Sequence, residues 1–214
     1  MEWGIAAAAV IFVVVGYVVL QGTRASMAWR RAASGGDVGV IRQMLEETIA
    51  SWRSMKRPKE VAPDVWRGVQ TIELMDVAAG RARVSCQVES EYRLVDGRWV
   101  EVSSPLQEGF AVTARLADML LYEVPNLHLD AAQIDVHTTF RRQDGASERV
   151  CILSTPARRE AASAVDWDEW SPLEIVDAFS GRYRLGERGA PLPVEPEEWA
   201  AEVDAGELRV KPAR

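Results

Sequence analysis

Residues Ser104–Val124 read SPLQEGFAVTARLADMLLYEV. Ser104 followed by Pro105 and, three positions after the serine, by Gln107 is a capping box with proline at the first helical position, so a helix is predicted from Pro105 to about Glu123. Glu108, Arg115, Asp118 and Tyr122 form a thin polar stripe. Phe110, Val112, Leu116, Met119, Leu120, Leu121 and Val124 cover most of the remaining circumference. A helix that apolar must be covered on several sides, so it is the expected centre of a domain.

Alternating segments flank it. Between Ala82 and Leu94 the even positions are mostly apolar and the odd ones polar, which predicts one strand with one buried face. Asp96-Gly97 then signals a hairpin. A two-residue turn would put Val100 and Val102 on the polar face, whereas a three-residue loop over 95–97 pairs Tyr92 with Val100 and keeps the apolar residues together; that register is expected. After the helix, Ile134, Val136, Thr138 and Phe140 alternate with polar residues up to Gln143-Asp144-Gly145. The same loop there pairs Phe140 with Glu148, Thr138 with Val150 and Val136 with Ile152. Tyr92-Arg93-x-x-Asp96-Gly97 and Phe140-Arg141-x-x-Asp144-Gly145 repeat one pattern 48 residues apart, which raises an internal duplication as an option.

Upstream, Asp37 is a good N-cap for an amphipathic helix whose apolar positions are Val38, Ile41, Leu45, Ile49, Trp52 and Met55. Pro58 and Pro63 end it and make a linker, after which Val69–Val77 reads as a strand. Downstream, Ser171-Pro172-Leu173-Glu174 is a second capping box opening a helix to Phe179. From Gly186 the chain is rich in proline and glutamate, with a short helix possible around Trp199.

The fold class is α+β: a transmembrane helix, an amphipathic helix, then antiparallel β-hairpins packed on a central helix. The transmembrane element is Trp3–Leu20, 18 residues without a charge. As a helix it spans about 27 Å, close to the ~30 Å hydrocarbon core of a bilayer. No Lys or Arg precedes it, while Arg24, Arg30 and Arg31 follow, with Trp29 at interface depth. The N-terminus is therefore expected outside and the remaining chain in the cytoplasm. The expected segments are 1–22 (anchor), 23–64 (basic juxtamembrane stretch, amphipathic helix and linker), 65–185 (α+β domain) and 186–214 (tail).

Net charge is −7, unevenly distributed. Residues 23–59 hold eight Lys or Arg against three acids, and residues 60–214 hold 17 against 28. The basic part suits an anionic lipid surface, and the acidic body argues against nucleic acid. There is no Walker A loop, no dinucleotide fingerprint, no nucleophile elbow and no Cys/His metal spacing. No metal or cofactor is expected.

Two constellations remain. The predicted register sets His137 opposite Cys151, a candidate nucleophilic dyad set against a plain buried cysteine. Asp166, Trp167, Asp168 and Trp170, with Trp199 further on, are candidate partner-binding residues, because exposed tryptophan is characteristic of binding hot spots. The expected function is a membrane-anchored, non-enzymatic interaction, assembly or scaffolding module. Its partner would be another protein or a second copy, Gly4 and Ala8 having small-xxx-small spacing. The alternative is a ligand-binding or hydrolytic domain with its pocket between sheet and central helix.

Overall fold

The computed structural model describes residues 35–141, 145–186 and 189–196. Among these, no helix is long and apolar enough to cross a membrane. The Trp3–Leu20 stretch, Arg24, Trp29, Arg30, Arg31 and Trp199 lie outside the described residues.

The chain opens with α1 (Val38–Ser54) and α2 (Pro63–Gln70). Strands β1 (Glu73–Ala78), β2 (Arg81–Gln87), β3 (Glu91–Val95) and β4 (Arg98–Ser103) follow. Then comes α3 (Pro105–Asp118), whose axis continues through a π-helical turn over Met119–Glu123. Next are β5 (Ala131–Arg141), β6 (Ser147–Arg158), the single turn α4 (Arg159–Ala162) and α5 (Pro172–Ala178). Strands β7 (Arg182–Leu185) and β8 (Pro191–Leu192) complete the described elements.

Six strands form one sheet in the order β1-β2-β5-β6-β7-β8. All neighbours are antiparallel except β2 and β5, which run parallel. Mixed α+β architecture with a mostly antiparallel sheet is thus present, and α3 occupies the centre. Its buried residues Val112 and Leu116, with Leu120 of the π turn, belong to one core with Ile134, Val136 and Leu153 of the sheet and with Ile175 and Phe179. At Gly68 of α2, a Cβ would lie 2.4 Å from the Val112 side chain, so the two helix backbones approach as closely as glycine allows.

Both capping boxes form. Ser104 Oγ accepts from Gln107 N at 3.3 Å while Gln107 Oε1 accepts from Ser104 N at 2.9 Å, and Ser171 and Glu174 repeat the exchange. Asp37 caps α1 as expected, accepting from Gly39 N and Val40 N. The π turn ends where Arg159 Nε donates to Leu129 O at 2.7 Å and the guanidinium also reaches Leu121 O, satisfying a carbonyl the helix end leaves free.

Several expectations are corrected. Pro63 begins a helix instead of extending a linker: proline at the first helical position and Asp64 beside it favour an N-terminus, and Trp66 and Val69 bury into the core. The first strand accordingly starts at Glu73. Ile41, Leu45, Ile49 and Trp52 of α1 share the core with everything downstream. Ala82–Leu94 is two strands, separated at Val88–Ser90 and placed in different sheets. Within the stretch 186–214, Pro191 is buried, β8 pairs with β7, and Val194 N donates to Cys151 O at 2.9 Å.

Candidate functional site

The connection from β2 to β5 crosses over through α3, and the β3–β4 hairpin is inserted into it. The hairpin is a separate two-stranded sheet. Its register is Val95↔Arg98, Leu94↔Trp99, Arg93↔Val100 and Tyr92↔Glu101, with a bulge before Glu91↔Ser103. That is the two-residue turn and not the expected three-residue loop. Asp96 (φ 49°) and Gly97 (φ 77°) both take the left-handed conformation of a type I′ turn, the geometry that matches strand twist. The expected register rested on burial of one face. Here neither face is buried, so apolar patterning has no core to act through and the turn decides.

All eleven residues from Tyr92 to Val102 are exposed. Trp99 is 72% exposed, Leu94 61% and Tyr92 54%. Strand alternation puts Tyr92, Leu94, Trp99 and Glu101 on one face. Arg93, Val95, Arg98 and Val100 share the other. An isolated hairpin is marginal in water, and a contiguous exposed apolar surface of this kind marks a contact site.

At the root of the second face is an acidic pocket of about 270 Å³, lined by Asp64, Arg67, Thr71, Gln87, Glu91 and Glu108 among others. Asp64 comes from the first turn of α2, Glu91 from the start of β3 and Glu108 from the first turn of α3. One carboxylate oxygen from each lies within 4.8 Å of the other two. Glu108, expected on the polar stripe, is only 7% exposed. Burial raises its carboxyl above the usual range, the Ser103 hydrogen bond opposes this, and Asp64 and Glu91 reinforce it. These three oxygens are the donors a hard cation prefers, and they are the group of that kind among the described residues. Equally, they are a receptor for a guanidinium or ammonium group. The pocket sits at the end of the sheet, beside the hairpin, while the space between sheet and α3 is filled by side chains.

His137 and Cys151 do lie directly opposite each other in the β5–β6 ladder, and Phe140↔Glu148 and Thr138↔Val150 also match the expected register. A bulge after Val136 shifts the next pair to Val136↔Leu153. Burial pushes the Cys151 thiol up to about 12, with the nearby Asp135 charge adding to it, and burial lowers His137. Both effects favour a neutral thiol beside a neutral imidazole, the reverse of an activated pair. Asp135 itself is 2% exposed and fully engaged: Arg83 Nε donates at 2.7 Å, Ser154 Oγ at 2.7 Å and Gln133 Nε2 at 3.2 Å.

Of the remaining candidates, Trp167 is half-buried, its ring 6.1 Å from those of Tyr122 and Phe179. Trp170 is exposed. Asp166 Oδ1 accepts from Asp168 N and Glu169 N, a local turn that positions the chain ahead of the Ser171 cap. Asp166, Asp168 and Trp170 are all exposed. The hairpin was legible as a hairpin, but its exposure was hidden by an alternation that resembles a buried strand.

Comparison of the chain with protein-family models, with curated proteins and with solved structures gives no match.

Proposed function

We propose that this chain is a membrane-anchored, non-catalytic interaction module, and that the β3–β4 hairpin is its docking element. The observation that carries the reading is the run of eleven exposed hairpin residues, which holds Tyr92, Leu94, Val95, Trp99, Val100 and Val102 in water. Trp and Tyr anchors of this kind supply most of the energy at protein interfaces. Burial, which raises the Cys151 thiol and lowers His137, weighs in the same direction, because it disfavours the charged thiolate–imidazolium pair that a nucleophilic dyad needs. The anchor is Trp3–Leu20, which tethers the domain with its C-terminal side in the cytoplasm.

The test is to replace Tyr92, Leu94 and Trp99 together by serine and to resolve the chain by native electrophoresis after mild solubilisation of its own membranes. Wild type is expected in a complex larger than one chain plus detergent, and the triple variant in a smaller species with an unchanged melting temperature. A variant that stays in the same complex refutes the hairpin as docking element.

A further inference from the structure

We infer that the hairpin docks on a second copy of this chain, in a two-fold pair in which Arg98 of each subunit enters the acidic pocket of the other. The inference rests on the hairpin being the docking element and assigns its second face, that of Arg93, Val95, Arg98 and Val100, to a second copy, while the face of Tyr92, Leu94 and Trp99 stays open to the partner.

Two features of one surface carry it. Arg98 stands at the hairpin tip next to the turn, and the acidic pocket stands at the root. Glu91 belongs to both the pocket and the hairpin face that bears Arg93, Val95, Arg98 and Val100. That shared face is confirmed by Arg93, whose guanidinium reaches Glu91 Oε1 at 3.0 Å, two residues back on the same strand. A single surface therefore runs from a basic tip through valines to a cluster of carboxylates. From Val95 to Glu91 is four strand steps, about 14 Å.

Two such surfaces laid antiparallel face to face are complementary to each other, which is the requirement of an isologous two-fold contact. With the axis near the Arg93/Val100 pair, Val95 and Val100 of both subunits become mutually buried. Arg93 stays neutralised by its own Glu91. The tip guanidinium then meets Asp64, Glu89, Glu91 and Glu108, with Arg67 the cation in the pocket lining. Three carboxyl oxygens lie there within 4.8 Å of one another, the acceptor set a guanidinium prefers. The chain enters α1 at the other end of the sheet, where a Cβ on Gly36 would sit 3.4 Å from that of Ala79 beside the β1–β2 turn.

The experiment is a charge exchange on the full chain in mild detergent, read by sedimentation velocity at about 50 µM, where contacts of this size are populated. Wild type is expected as a dimer. Arg98→Glu alone and Glu91→Arg alone are each expected to weaken self-association roughly tenfold or more. An equimolar mixture of the two is expected to restore wild-type dimerisation, because each subunit then supplies what the other lacks. Should either variant fold poorly, the variants Arg98→Cys and Glu89→Cys, each adding one exposed cysteine to the buried Cys86 and Cys151, are expected to form a mixed disulfide under mild copper oxidation that neither forms alone. Monomeric wild type, variants that self-associate as tightly as wild type, or a mixture no tighter than its components would overturn the inference. If wild type is monomeric and the triple serine substitution releases the chain from a larger native complex, the hairpin remains a docking element for a different protein and only the self-association falls.

Discussion

The two hairpins of this protein carry the same six-residue pattern, aromatic-Arg-x-x-Asp-Gly, and resolve it differently. In β3–β4 the Asp-Gly pair forms a two-residue turn and sets the register. In β5–β6 the ladder instead runs Phe140↔Glu148 and Arg141↔Ser147, a register the two-residue turn would not give. The difference is burial. Val136, Ile134, Ile152 and Leu153 are fully buried, so a one-residue slip would turn the whole set out of the core. Nothing in Tyr92–Val102 is buried, and the local preference of the turn goes unopposed. One hairpin is structural and the other is available for contact.

Substitutions can break that contrast at different depths. The largest effect is expected in the buried hairpin, where Ile134→Ala should cost about 2–5 kcal/mol in chemical denaturation through the cavity it leaves. Leu94→Ala, its counterpart in the exposed hairpin, should fall within ~0.5 kcal/mol of wild type. A loss at Leu94 as large as at Ile134 would mean that the hairpin is part of the core.

Next in size is the turn. Gly97→Val places a β-branched residue at φ 77° and should weaken β3–β4 pairing by about 1–2 kcal/mol, seen as faster amide exchange confined to that hairpin. Gly145→Val, at φ 84°, meets the same local penalty, but the β5–β6 register should survive because the core holds it. Slippage of both registers would contradict the assignment of control to the turn in one and to burial in the other.

A smaller effect concerns the hairpin root. Because the Glu108 carboxyl is raised in the native state, the folded chain holds a proton that the unfolded chain has already released. Stability from this group is complete below the ordinary glutamate range and is lost as pH rises through the raised value. Glu108→Gln should flatten that part of the stability-pH profile and leave the variant more stable than wild type above it. Asp118, also raised by burial, keeps a residual slope of the same sign.

The parts legible in the sequence are those with local chemistry. Asp37, Ser104 and Ser171 announce their helices, and the buried alternation of β5 and β6 fixes the His137–Cys151 pairing. Three features escaped. Pro63 reads equally as a stop or a start, and only the burial of Trp66 and Val69 decides. The parallel pairing of β2 with β5 joins residues such as Val84 and Ile134, for which no short-range signal exists. The hairpin alternates like a half-buried strand while lying wholly in water, so the strongest candidate for function looked like an ordinary part of the core. The acidic pocket is assembled from Asp64, Glu91 and Glu108 on three elements, and its first member sits on the helix the sequence reading missed.

The smallest expected change in stability is at Trp99, and there the functional claim is tested most directly. A photo-reactive phenylalanine analogue at position 99 of the full chain in its own membranes, with the same analogue at exposed Leu173 as control, should give a covalent adduct of one defined mass on irradiation at 99 only. No adduct at 99, or the same adducts from both positions, would contradict the account of the β3–β4 hairpin as the surface through which this protein meets its partner.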